Sequence, residues 1–329
     1  MNMNKIGPLE IIMGENQSRM PFSTSIIVKG DDYSTLFECG SGKKAFEYIK
    51  KEHRLGQIFL THHHMDHTWG LIEFSEIEVF INPLDQVKLA DREELIRAQG
   101  FPAVLSKEQI KRMEQEADKL PHAQYHKAAR RLFRKYDTYN YGTVMDLSGV
   151  KVIFIYSPGH TEGYCCPYFP EHGVIYTGDF DLTSFGPFYC DADGDIDLFI
   201  ESANKLLEVD AKYYVTAHQR GMMTKDQFKK ELENYLSIID RREETIKQFI
   251  KAGKPVEELI HQGIFYYKDQ LYKNPFYLKS EKVGIAKHLK RMIRNGEPLA
   301  DYYEQYLKVH NINEKYITYT VKSKLQYCH

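Results

Sequence analysis

The sequence predicts an α+β fold, with two packed sheets and helices on the outside. Short β-rich runs dominate residues 6–81, helical spacing replaces them over about 84–140, and β-rich runs return between residues 151 and 216. From Lys225 onward the chain reads almost wholly helical. The predicted organisation is a core over 1–224 that carries a helical insertion at about 84–140, followed by a helical C-terminal region over 225–329.

Element by element, Ile6–Met13, Ser25–Lys29 and Ser34–Glu38 read as strands of an antiparallel meander. Lys43–His53 has helical spacing and stops at the Gly-containing stretch His53-Arg54-Leu55-Gly56. Gln57–Leu60 is a short apolar strand running straight into a histidine-rich turn. Ile77–Ile81 is another strand, closed by Asn82-Pro83. Pro102 and Pro121 divide the insertion into about three helices. Lys151–Tyr156, Tyr164–Phe169, Val174–Tyr176 and Tyr213–Thr216 are predicted strands, and Ile196–Leu207 and Val283–Ile293 are predicted helices.

Composition narrows the function classes. Of the 329 residues, 42% are hydrophobic and 27% charged, which is ordinary for a globular protein. A net charge of −2 supplies no whole-molecule field for nucleic acid or an anionic membrane. The apolar runs, such as Val152–Tyr156, are far too short to cross a bilayer. The N-terminal stretch lacks the basic segment, apolar run and small-residue site of a signal peptide. Five cysteines without a CxxC pair argue against a disulfide framework and a thiolate zinc site. A cytoplasmic protein is therefore expected.

The strongest chemical signal is Thr61-His62-His63-His64-Met65-Asp66-His67. His62 and His64 sit two apart on a segment leaving a strand, so they point the same way, and His63 points away. Asp66 and His67 follow where a helix starts. Such a turn brings imidazoles and a carboxylate into one small volume, and these are ligands for zinc, iron or manganese. Three later turns each follow a β-run and each carry one further candidate: Ser157-Pro158-Gly159-His160-Thr161, Thr177-Gly178-Asp179 and Thr216-Ala217-His218.

The ordered set HHHMDH, SPGHT, TGD and TAH resembles the metallo-β-lactamase superfamily, in particular its glyoxalase-II-like and β-lactamase-like-protein-2-like hydrolases. The resemblance spans roughly residues 6–222 and weakens through the insertion. It implies a four-layer αββα sandwich with metals at one edge, extended here by the helical insertion and the helical C-terminal region. Carried over by position, His62, His64 and His160 hold a first metal, Asp66, His67 and His218 a second, and Asp179 bridges them. Two divalent ions are implied, Zn²⁺ first, with iron or manganese as alternatives. They share a bridging water, lower its pKa and direct it at a carbonyl or phosphoryl centre. Asp66 is the nearest acceptor for the proton of that water, and so the candidate catalytic residue.

Two departures from the family pattern stand out. Glu38-Cys39-Gly40 replaces the usual Asp-Thr-Gly-like turn, so that Glu38 is a longer-armed candidate to support a ligand. Cys39 reads as a small buried residue. Trp69 replaces a small residue after the Asp-His pair and is expected to pack. Asp193 or Asp195 is expected to cap the helix that follows. Phe185–Tyr189 is either a wall of the substrate entrance or a packed loop. Lys127, Arg130, Arg131, Arg134 and Lys135 read as a solvated basic helix face, with an anion grip as the alternative. The insertion is expected either to cap the metals or to form a homodimer contact.

The function predicted is hydrolysis of a small-molecule acyl thioester, ester or lactone. A phosphodiesterase or ribonuclease would use the same metals, but near-neutral charge disfavours nucleic acid. A mononuclear-iron persulfide dioxygenase shares Gly159-His160-Thr161, yet does not need the second set of ligands that is intact here.

Overall fold

The computed structural model describes residues 2–117 and 136–321. Two sheets face each other. The first has seven strands in sequence order: β1 (Met3–Ile6), β2 (Leu9–Ile12), β3 (Ser25–Lys29), β4 (Ser34–Phe37), β5 (Leu55–Leu60), β6 (Glu78–Ile81) and β7 (Tyr136–Thr138). Strands β1 to β4 form an antiparallel meander, and β4 to β7 run parallel. The second sheet has the order β13-β12-β11-β10-β9-β8, built from β8 (Val144–Asp146), β9 (Lys151–Tyr156), β10 (Cys165–Phe169), β11 (Val174–Gly178), β12 (Tyr213–Thr216) and β13 (Met222–Thr224).

Side-chain alternation explains the layers. Ile26 and Val28 of β3 join Phe37, Phe59, Phe154, Phe169 and Val215 in the core between the sheets. Ile27, between them, faces outward into a second core with Ala45, Phe46 and Ile49 of helix α1 (Lys43–Glu52). The outer face of the second sheet, with Cys166, Ile175 and Tyr214, packs on α6 (Ile196–Leu206) and α7 (Lys225–Lys251). The same apolar cluster continues into α8 (Pro275–Arg294) and α9 (Ala300–Val309) through Val283, Ile285 and Tyr306. The result is an αββα sandwich whose C-terminal helices are continuous with one outer layer.

Several expectations need correction. The strand expected at Ile6–Met13 is a hairpin edge instead, because Gly7, at φ +53°, and Pro8 turn the chain between β1 and β2. The insertion is not wholly helical: α3 (Pro83–Ala90), α4 (Arg92–Ala98) and α5 (Lys107–Ala117) are followed by β7, which pairs with β6. Strands β8 and β13 had no expectation. All three are three residues long, too short for any alternation to register. Pro121 and the basic run Lys127, Arg130, Arg131, Arg134 and Lys135 lie outside the described residues.

Strand direction puts the four ligand-bearing turns together. Strands β9, β11 and β12 run in one sense, since β10 is antiparallel to both of its neighbours and β11 pairs parallel with β12. Their C-terminal ends lead into His160, Asp179 and His218, while β5 of the facing sheet ends at His62. The turn after β9 tolerates only glycine at position 159: φ is +129°, and a Cβ there would lie 2.2 Å from the Phe199 nitrogen of α6. Gly159→Ala is therefore expected to cost roughly 2 kcal/mol or more, read as a lower urea midpoint at unchanged slope.

Candidate metal centre

Helix α2 (Met65–Thr68) follows β5 after the short turn 61–64, with His64 as its extended N-cap at φ −64° and ψ 152°. This abrupt strand-to-helix change sends His62 and His64 to one volume, their ring centroids 4.5 Å apart, and delivers Asp66 and His67 beside it. His160 Nε2 lies 2.9 Å from His64 Nδ1 and 2.8 Å from Asp179 Oδ2. His62 Nε2 is 3.5 Å from the same Asp179 oxygen. Asp179 Oδ1 faces the other way, 3.2 Å from His67 Nε2 and 3.6 Å from His218 Nε2. Asp66 Oδ2 completes this second group at 3.2 Å from His67 Nε2 and 3.1 Å from His218 Nε2. Two groups thus meet at one carboxylate: His62, His64, His160 and Asp179, and Asp66, His67, His218 and Asp179. Within each group the ligand atoms lie within 4.8 Å of one another.

The opposite nitrogens are tied down, which fixes ring orientation. Thr61 Oγ1 holds His62 Nδ1 at 3.0 Å, and Asp191 Oδ2 sits 3.2 Å from His64 Nε2. His67 Nδ1 bonds Glu38 Oε2, and His160 Nδ1 donates to the Phe188 carbonyl at 2.9 Å. His218 Nδ1 donates to the Ser18 and Phe22 carbonyls at 2.8 and 3.0 Å. His62 Nε2, His64 Nε2, His67 Nε2 and Asp179 Oδ1 are buried and make no hydrogen bond among the described residues, meeting their charged neighbours only at ion-pair distance. Buried polar atoms left open in this way are costly unless something else takes their lone pairs. The donor set and its convergence fit divalent cations.

Charge within the cluster agrees. Burial, with His67 and His64 beside it, holds His62 well below the usual imidazole range. Burial also works against a charged His218, but Asp66, Asp179 and Asp181 outweigh it and push that imidazole up to about 10. His67 is likewise held well above its ordinary value, burial being outweighed by Asp179, Asp66 and Glu38. Both imidazoles of the second group are thereby biased toward their protonated form.

Glu38 serves where a shorter acid was expected. Its backbone adopts φ +63°, and its other oxygen accepts from the Thr61 nitrogen at 2.6 Å, so one carboxylate links His67 to the root of the histidine turn. Cys39 is fully buried, and Trp69 packs edge-on to Phe46 while donating to the Pro21 carbonyl. Asp195 caps α6 by accepting from Leu198 N, whereas Asp193 turns elsewhere, to Lys88 at 2.5 Å. His63 points away from the other histidines, as the alternation requires, and faces Asp85 at 3.3 Å. His63, Asp85 and Asp193 also come close enough to ligate, but Lys88 Nζ already supplies their cation, at 2.6 Å from Asp85.

Sequence reasoning missed the supports of Asp179. Tyr164 OH accepts from the Asp179 nitrogen at 2.7 Å, and Tyr235 OH of α7 donates to its carbonyl at 3.1 Å. Gly178, at φ +55°, leaves room for Tyr164, since a Cβ would lie 2.0 Å from the Tyr164 oxygen. It also missed Lys279 of α8, which pairs with Asp191 behind His64. None of these carries a local signal, because each partner arrives from a distant element.

The family model of the metallo-beta-lactamase superfamily matches residues 20–218. The chain belongs to that superfamily. Its fold is similar to that of a metallo-beta-lactamase family protein from Thermus thermophilus, at TM-score 0.61 and 17% identity over 88% of this chain and 94% of that one. It is similar too to a beta-lactamase domain protein from Burkholderia ambifaria, at TM-score 0.63 and 14% identity over 90% and 89%. No curated protein matches the chain. No helix among the described residues is long and apolar enough to cross a membrane.

Two outcomes are expected. Glu38→Gln weakens metal retention about 10- to 100-fold against a competing chelator, because His67 loses its anionic support. Metal uptake at pH 8 releases protons, about one or more per chain, since His218 and His67 must deprotonate to bind. Calorimetry in buffers of different ionisation enthalpy reads that release.

Proposed function

We propose that this chain is a binuclear metallohydrolase acting on an acyl thioester, ester or lactone. The observation that carries this reading is Asp179, whose two carboxylate oxygens each face a separate imidazole group. His62, His64 and His160 would hold one cation, Asp66, His67 and His218 the other, and Asp179 would serve both. When bound, divalent cations supply a water of lowered pKa and stabilise negative charge developing on a carbonyl oxygen. Zinc suits the ligand set first, with iron and manganese as the alternatives.

The chain's own residues do the rest. Asp66 is strongly biased toward its ionised form: burial opposes this, but His67 and His218 outweigh it. Its position beside both imidazoles makes it the candidate acceptor for the proton of the attacking water. His64 is the most open of the seven, with 13% of its side chain exposed, and marks the side from which substrate arrives. Near-neutral net charge favours a small molecule over nucleic acid as the substrate.

Activity is to be measured on a panel of acyl thioesters, esters and lactones. Chelation is expected to abolish it and readdition of Zn²⁺, Mn²⁺ or Fe²⁺ to restore it. Asp66→Asn is expected to lower kcat by on the order of 10²–10⁴. Turnover that persists after complete removal of metal contradicts the reading.

A further inference from the structure

Five half-buried aromatic side chains close a ring beside the metal centre. Phe188 lies against the open histidine, its ring centroid 6.3 Å from His64 and 5.9 Å from His160. Phe276, in the first turn of α8, stacks on Phe188 at 5.9 Å with the planes 16° apart. Tyr277 follows at 6.1 Å and stacks on Tyr266 at 4.5 Å. Phe185 lies 5.4 Å from Tyr266 and 6.4 Å from Phe188, which closes the circuit. All five retain partial exposure. Phe185, Phe188 and Tyr266 pack on the apolar cluster beneath them and stay partly open, unlike the fully buried Tyr164, Tyr176 and Tyr189.

The ring is held rigidly from behind. Arg242 of α7 donates to the Pro187 and Phe185 carbonyls, both at 2.7 Å. Glu281 of α8 accepts from the Ile264, Phe265 and Tyr266 nitrogens at 2.8–2.9 Å. His160 itself binds the Phe188 carbonyl. Two lysines of α8 are engaged behind the ring: Lys279 pairs with Asp191 and lies over the Phe276 ring at 4.6 Å, and Lys287 donates to the Tyr189 and Gly194 carbonyls at 3.0 and 2.6 Å. Each of the five rings is partly open to solvent, and these two cations are engaged behind them.

We propose that this ring is the acyl wall of the active site, and that the substrate's acyl group is an uncharged aliphatic or aromatic chain rather than a short or anionic one. The inference rests on the hydrolase reading and narrows it. A preformed apolar surface touching a metal-facing histidine recognises a chain attached to the reacting carbonyl. Each methylene laid against it adds binding by removal of apolar area from water.

The test compares acyl thioesters of N-acetylcysteamine from acetyl to octanoyl, with the metal-loaded full chain. In the wild type the octanoyl-to-acetyl ratio of kcat/KM is expected to be on the order of a hundredfold. Phe276→Ala is expected to cut that ratio about tenfold or more, and Phe276→Leu, which keeps an apolar side chain, to retain most of it. A wild-type ratio near one, or a ratio unchanged in Phe276→Ala, overturns the proposal. Straight-chain carboxylates from acetate to octanoate, titrated calorimetrically into the same protein, separate the two readings. If no thioester, ester or lactone is turned over but affinity climbs with chain length and ceases to do so in Phe276→Ala, the wall stands and the hydrolase reading falls. Affinity independent of length overturns the wall.

Discussion

The carboxylate of Asp179 is the constraint around which the site is built. It is buried between two sets of imidazoles and has to reach both. That demands a fixed backbone as well as a fixed side chain. Tyr164 holds its nitrogen and Tyr235 its carbonyl, and Gly178 makes the turn that lets Tyr164 approach. The second sheet thus positions the carboxylate from below, and helix α7 locks it from outside.

Around that carboxylate the chain accepts a large electrostatic burden. Several imidazoles and two acids share a water-poor volume, where an unpaired charge costs several kcal/mol. The cost is met by a layer of partners from several segments: Thr61, Asp191, Glu38, the Phe188 carbonyl, and the Ser18 and Phe22 carbonyls. These contacts orient the rings and leave the inward nitrogens open. Such preorganisation is what a metal site needs, since correctly turned imidazoles bind without reorienting. The C-terminal helices belong to the same construction. Lys279 reaches Asp191 behind His64, Arg242 holds the 185–187 loop, and Phe276 meets Phe188 at the mouth.

Much of this was legible in the sequence, for identifiable reasons. The seven candidate ligands lie on turns that end strands, and period-two alternation in the apolar runs marked most of those strands. The fold class followed from the same patterns. Strands β7, β8 and β13 escaped because three residues carry no period, and the β1–β2 hairpin escaped because Gly7-Pro8 was read as part of one strand. The supporting residues were harder. Glu38 was visible as a departure at a known position, but Tyr164, Tyr235, Asp191 and Lys279 act through contacts between distant elements, Asp191 and Lys279 being 88 positions apart. No local pattern encodes such a meeting; the sandwich topology produces it.

The central claim is that one chain binds two cations on a shared carboxylate. Elemental analysis of protein purified without chelators and without added metal tests it most directly. About two zinc, iron or manganese ions per chain are expected. A protein that holds no metal and takes up none on titration contradicts the account.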